Sequence, residues 1–111
     1  MNPVADWAFR IGKPADSGWF ETVDWTAGML QGKAADSRYG TLRIAVDGGI
    51  VIRIEVELPT PVPVQALGLG PAEPVYAADA VHPTLFWWLE SLSIAADLAP
   101  SGVVRLVLAG R

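Results

Sequence analysis

Residues 42–58 read LRIAVDGGIVIRIEVEL, and this stretch decides the expected fold. Branched apolar residues alternate with other residues on both sides of a glycine-rich turn. Strict period-two alternation around such a turn is the strongest local signal for a β-hairpin with one buried face. The sequence therefore predicts a hairpin at the centre of the fold.

The length of the loop decides the register of this hairpin. A three-residue loop at 47–49 pairs Val46 with Ile50 and Ile44 with Ile52, so that the branched residues share one face. A shift of one residue would turn an apolar set toward solvent. Such a loop needs a positive φ at its last position, which a glycine adopts without steric cost. We predict this register.

Composition narrows the class of protein. The chain has 111 residues, 51% of them hydrophobic, and we predict one domain spanning residues 1–111. A formal net charge of −4 and scattered basic residues argue against binding to nucleic acid or to anionic membranes. The absence of cysteine and of a signal peptide suits a cytoplasmic protein. Arginine outnumbers lysine, which favours a bacterial or phage source.

The remaining patterns complete a predicted topology. Alternating residues predict further strands, and helical spacing between two prolines predicts one helix. The strands are expected at residues 5–11, 19–25 and 103–109, and the helix at 83–98. A Pro- and Gly-rich irregular connection is expected at 59–82. The predicted fold is α+β, a mostly antiparallel five-stranded sheet in β-β-β-β-α-β order with the C-terminal-half helix packed on one face.

The predicted helix carries a second apolar line in addition to the stripe that would face the sheet. A helix on the surface of a monomer needs one such stripe, so the second line favours a protein interface. Together with apolar residues of the connection, the proposed interface comprises Trp87, Ile94, Leu98, Val62, Val64 and Leu69. The alternative is that the connection of the same chain covers the second line.

Residues capable of catalysis are few. The single histidine, His82, follows Asp79, and a carboxylate can orient an imidazole as a general base. No pattern indicates a metal site or a cofactor. The leading hypothesis is a non-enzymatic interaction module that binds itself or another protein, of the inhibitor, immunity or assembly type. The alternative is a small-molecule pocket or small enzyme, with Asp79 and His82 as acid/base groups and an aromatic lining of Trp19, Trp25, Tyr39 and Tyr76.

Overall fold

The computed structural model describes all 111 residues and shows a protein built mainly from one antiparallel sheet. The strands are β1 (Phe20–Thr26), β2 (Met29–Ala34), β3 (Thr41–Asp47), β4 (Ile50–Val62), β5 (Glu73–Val75), β6 (Thr84–Trp88), β7 (Leu92–Ala99) and β8 (Gly102–Gly110). They lie in the order β1-β2-β3-β4-β8-β7-β6-β5, so two four-stranded meanders meet at β4 and β8. The only α-helix is α1 (Pro3–Trp7), and short 3-10 turns follow at Ala8–Arg10, Ser17–Trp19 and Val64–Leu67. None of these helices is long and apolar enough to cross a membrane.

The α+β prediction with a five-stranded sheet is wrong, because the expected helix at 83–98 is a β-hairpin. Its two arms are β6 and β7, and β7 also pairs along its length with β8. The turn between the arms closes where the Leu89 amide donates to the Leu92 carbonyl at 2.8 Å. Read with period two, Trp87 and Ile94 fall on one face of this hairpin and are buried. Pairing with β8 thus outweighs the helical spacing of the same residues.

The predicted strand at 5–11 is also wrong, because this segment forms α1 and the 3-10 turn after it. The Asn2 side chain accepts hydrogen bonds from the amides of Val4 and Ala5, at 3.0 and 3.2 Å. Asparagine at the cap and proline at the first helical position are both typical of a helix start. Two buried residues of the helix, Val4 and Trp7, pack into the core.

The central hairpin is present as β3 and β4, but the predicted register is wrong. Ile44 pairs with Ile54, whereas the prediction paired it with Ile52. A register shift beside Val46 pairs that residue with Val51, which is buried, and leaves Ile52 47% exposed. A β-bulge therefore interrupts the alternation, and the apolar series continues on the correct face beyond it.

One face of the sheet forms the core. The residues at the centre of this face are completely buried. They are Leu42, Ile44, Ile54, Val56, Leu106 and Leu108. The connection predicted at 59–82 leaves β4 in the middle of the sheet and reaches β5 at the edge. On its way, Leu67 packs into the core, and the Gly70 carbonyl accepts a hydrogen bond from the Trp87 indole at 3.1 Å. Helix α1 and this connection therefore cover the inner face.

Candidate functional site

A cleft lies where α1 meets the two turns that flank β1 and β2. It has a volume of about 400 Å³ and combines aromatic rings with charged side chains. Its principal lining residues are Trp7, Phe9, Arg10, Trp19, Arg38 and Tyr39. We call it the N-terminal cleft. Its volume lies in the range typical of small-molecule sites.

The aromatic rings of the cleft pack edge to face. Trp7 is 2% exposed, and the Trp19 ring meets it edge-on with 6.4 Å between ring centres. The Tyr39 ring makes a second edge-on contact with Trp7 at 5.4 Å. Edge-to-face arrangements place the positive rim of one ring against the negative face of another. Three rings from distant parts of the sequence are thereby held together.

A cation lies over these rings. The Arg10 guanidinium carbon is 4.1 Å from the Trp7 ring centre and 5.1 Å from that of Trp19. Phe9, which is 62% exposed, lies at 5.3 Å on the outer side of the guanidinium. The Arg10 side chain donates no hydrogen bond and forms no ion pair, although guanidinium has five N–H donors. Contact with aromatic faces alone positions this charge.

The second arginine of the cleft, Arg38, forms ion pairs with two carboxylates. Arg38 pairs with Asp36 at 2.6 Å and with Asp6 at 3.3 Å. Hydrogen bonds from the Arg38 side chain, and then from its backbone amide, lower the pKa of Asp36. More weakly, the positive charge of Arg10 acts in the same direction. Asp6 also accepts a hydrogen bond from the Tyr39 hydroxyl. Both carboxylates pair with Arg38, and Arg10 is the one charged group of the cleft that has no ion pair.

Tyr39 is held in its neutral form. Burial is the main cause that raises its phenol pKa, and the hydrogen bond to Asp6 and the charge of Asp6 raise it further. The charge of Arg38 and the neighbouring Trp7 N–H oppose this shift but are outweighed. The Trp7 N–H nonetheless makes no hydrogen bond of acceptable geometry, and it is buried.

In a Tyr76→Phe variant, which leaves Tyr39 as the only phenol, phenolate absorbance is expected to appear at a higher pH than for free tyrosine. A raised folded-state pKa gives stability that is fully present below the unfolded value, near pH 10. That stability is lost as the pH rises through the folded-state pKa. An ultraviolet titration alongside circular dichroism checks both effects. Ionisation at the pH of free tyrosine while the fold persists would contradict the burial of Tyr39.

A second feature is the free edge of the sheet at β1. This strand pairs only with β2, and six of its seven residues are exposed. Val23 and Trp25 lie on the sheet face that elsewhere forms the core, yet they are 40% and 61% exposed. The opposite edge differs, because β5 has three residues and includes Pro74, which has no amide hydrogen. Of the two edges, β1 is the one open to a further strand.

The residues predicted as an interface lie mostly inside the protein. Trp87, Ile94 and Val62 are buried, so they present no surface to a partner. The other three residues, Val64, Leu69 and Leu98, are partly buried and pack against the core. The connection of the same chain supplies the acceptor for the Trp87 indole.

The predicted pocket residues separate into three places. Trp19 and Tyr39 come together in the N-terminal cleft, whereas Trp25 lies on β1. The other three predicted residues, Tyr76, Asp79 and His82, lie between β5 and β6. All three are exposed and make no side-chain hydrogen bond. The sequence reading missed Arg10 and Arg38 as cleft residues. The only local signal that bears on Arg10 is the helix start at residues 2–3. It predicts a short helix and so places Arg10 just after the end of that helix.

No group of histidine, aspartate and glutamate side chains converges in a way that could hold a metal ion. No protein-family model, curated protein or solved structure matches this chain. Functional conclusions therefore rest on the chemistry of the two features described above.

Proposed function

We propose that the protein is a non-enzymatic interaction module that assembles through the free edge of β1, with a second copy of the same chain as its partner. The observation that supports this is the exposure of Val23 and Trp25 on the otherwise covered face of the sheet. An added strand would pair the open backbone groups of β1 and cover both side chains. A cytoplasmic location belongs to the same proposal, since a chain without cysteine fits a reducing compartment.

A register centred on Val23, the middle residue of β1, pairs the whole strand in two antiparallel copies. If Val23 faces Val23 across a two-fold axis, Thr22 faces Asp24 and no two carboxylates are directly opposed. A shift that centres the axis on Asp24 would bring its two carboxylates face to face, which is destabilising. Intermediate shifts would place inner-face residues opposite outer-face residues. The sheet of each copy thus continues into the other about Val23.

The oligomeric state tests this proposal. We expect light scattering over a dilution series to show a dimer for the wild type and a monomer for Val23→Lys, in which two ammonium groups would meet at the axis. Val75→Lys is the matched control, because Val75 is 50% exposed on the opposite edge strand and should leave the dimer intact. A wild-type monomer at every concentration, or equal loss of the dimer in both variants, would refute the proposal.

A cross-linking experiment tests the register itself. The chain has no cysteine, so a single Val23→Cys substitution gives one thiol per copy. Directly opposed residues of an antiparallel pair lie close enough for a disulfide. Mild oxidation should therefore link the Val23→Cys chains into covalent dimers and leave Val75→Cys chains single. If both variants cross-linked equally, the disulfides would come from random collisions between chains, and the proposed pairing about Val23 would be refuted.

A further inference from the structure

We infer that the N-terminal cleft binds a small aromatic monocarboxylate. This site lies outside β1 and does not depend on assembly through that strand. It is carried by three observations, which are the unpaired charge of Arg10, the aromatic walls around that charge, and the buried N–H of Trp7.

The charges of the cleft select the type of head group. Arg38 forms ion pairs with both Asp36 and Asp6, whereas Arg10 has no carboxylate within ion-pair distance. Its guanidinium carbon lies 4.1 Å from the Trp7 ring centre, and its N–H groups have no partner in the chain, so they can make a planar, two-pronged contact with a carboxylate. A phosphate monoester carries up to two negative charges at neutral pH and would be repelled by the two aspartates. The two arginines and two aspartates of the cleft balance one another, so a ligand with one negative charge meets less repulsion than a ligand with two.

The walls of the cleft select the body of the ligand. Trp7, Trp19 and the exposed ring of Phe9 surround the Arg10 charge, and Tyr39 lines the cleft beside Arg38. A flat aromatic ligand gains offset or edge-on contacts with such rings. The volume of about 400 Å³ accommodates a ligand of one or two fused rings.

Trp7 supports the same assignment independently. Its Nε1 is the only buried side-chain nitrogen or oxygen atom in the chain that has no hydrogen-bond partner. Buried donors are nearly always paired in folded proteins, so an exception calls for an explanation. A ligand oxygen at the inner end of the cleft would give the indole an acceptor after a small rotation of the Tyr39 ring beside it.

The test is a titration of the full chain with 2-naphthoate, observed at the indole N–H resonances of its five tryptophans. The neutral amide naphthalene-2-carboxamide and the dianionic 2-naphthyl phosphate serve as the comparison probes. We expect 2-naphthoate to bind at least about tenfold more tightly than either, because it alone carries one charge. Its binding should shift the Trp7 and Trp19 resonances and leave those of Trp25 and Trp88 unchanged.

Matched variants show whether the charge of Arg10 is responsible. Arg10→Gln should weaken 2-naphthoate binding at least about tenfold, with little change for the amide. Arg53→Gln removes an equally unpaired but exposed arginine of β4 and should not alter binding. Equal affinity for all three probes, shifts confined to Trp25 or Trp88, or absence of binding at millimolar concentration would each overturn the inference.

Discussion

Gly32→Ala is expected to destabilise the protein by about 3 kcal/mol or to release β1 from the sheet. A Cβ atom at this position would lie 1.8 Å from the Thr22 carbonyl oxygen and 2.9 Å from the Val23 Cα atom. Both neighbours belong to the backbone of β1, which shifts register beside Thr22 and folds closely over Gly32. Because no flexible side chain can move aside, the two strands must separate. Denaturant unfolding followed by tryptophan fluorescence measures the loss of stability.

Gly110→Ala is the matched control for this prediction. Gly110 is the last residue of β8, and the nearest atom to its Cβ position is a side-chain methyl of Ile11 at 3.3 Å. We expect a change of about 0.5 kcal/mol or less there. The variants are compared at one protein concentration, because assembly would add to apparent stability. Hydrogen exchange shows whether β1 alone opens. Unchanged stability together with protected amides in residues 20–26 would contradict the close packing of β1 on Gly32.

Several strands could be predicted from the sequence because their side chains alternate with burial. Residues 103–109 are apolar on both faces and lie in β8, which has neighbours on both sides. Residues 19–25 nearly coincide with β1. The pattern of the central hairpin could not reveal its register, because a bulge moves Ile52 outward without breaking the apolar run. The position of a bulge depends on how neighbouring strands pair, so it cannot be read from the sequence of one strand.

The apolar residues of the segment at 83–98 fit both the helical period of about 3.6 residues and the strand period of two. They fit a helical stripe, and they also fit two short strands joined at residues 89–91. The choice depends on β8, whose edge remains unpaired unless β7 is extended. At 5–11, the choice depends on Asn2 and Pro3, which start a helix before the alternation begins.

The N-terminal cleft could be predicted only in part. The alternative prediction places Trp19 and Tyr39 in one pocket lining, and the reason for Trp19 is that an aromatic residue near a strand end can flank a ligand. Their contacts with Trp7 and Arg10 join segments that are distant along the chain. No spacing rule connects such segments, since only the folded sheet and the docking of α1 bring them together. The predicted acid/base residues, Asp79 and His82, lie outside this arrangement.

Trp87→Ala is expected to lower the free energy of unfolding by about 3–5 kcal/mol, the usual cost of removing a buried tryptophan. Trp87 is 3% exposed on the inner face of β6. The substitution leaves a cavity and also removes the hydrogen bond to the Gly70 carbonyl, which holds the connection onto the sheet. Urea unfolding measures the loss, and faster hydrogen exchange at residues 63–72 would show that the connection loosens.

Trp88→Ala is the matched control, because the adjacent side chain points to the opposite face of the same strand. Trp88 is 60% exposed, stacks on Phe86 and donates an exposed hydrogen bond to Glu73. We expect its removal to cost about 1 kcal/mol or less. In a helix spanning 83–98 the order would be reversed, since Trp88 would lie in the main apolar stripe and Trp87 away from it. A larger loss for Trp88→Ala than for Trp87→Ala would therefore contradict strand β6, whereas the expected order excludes the helix.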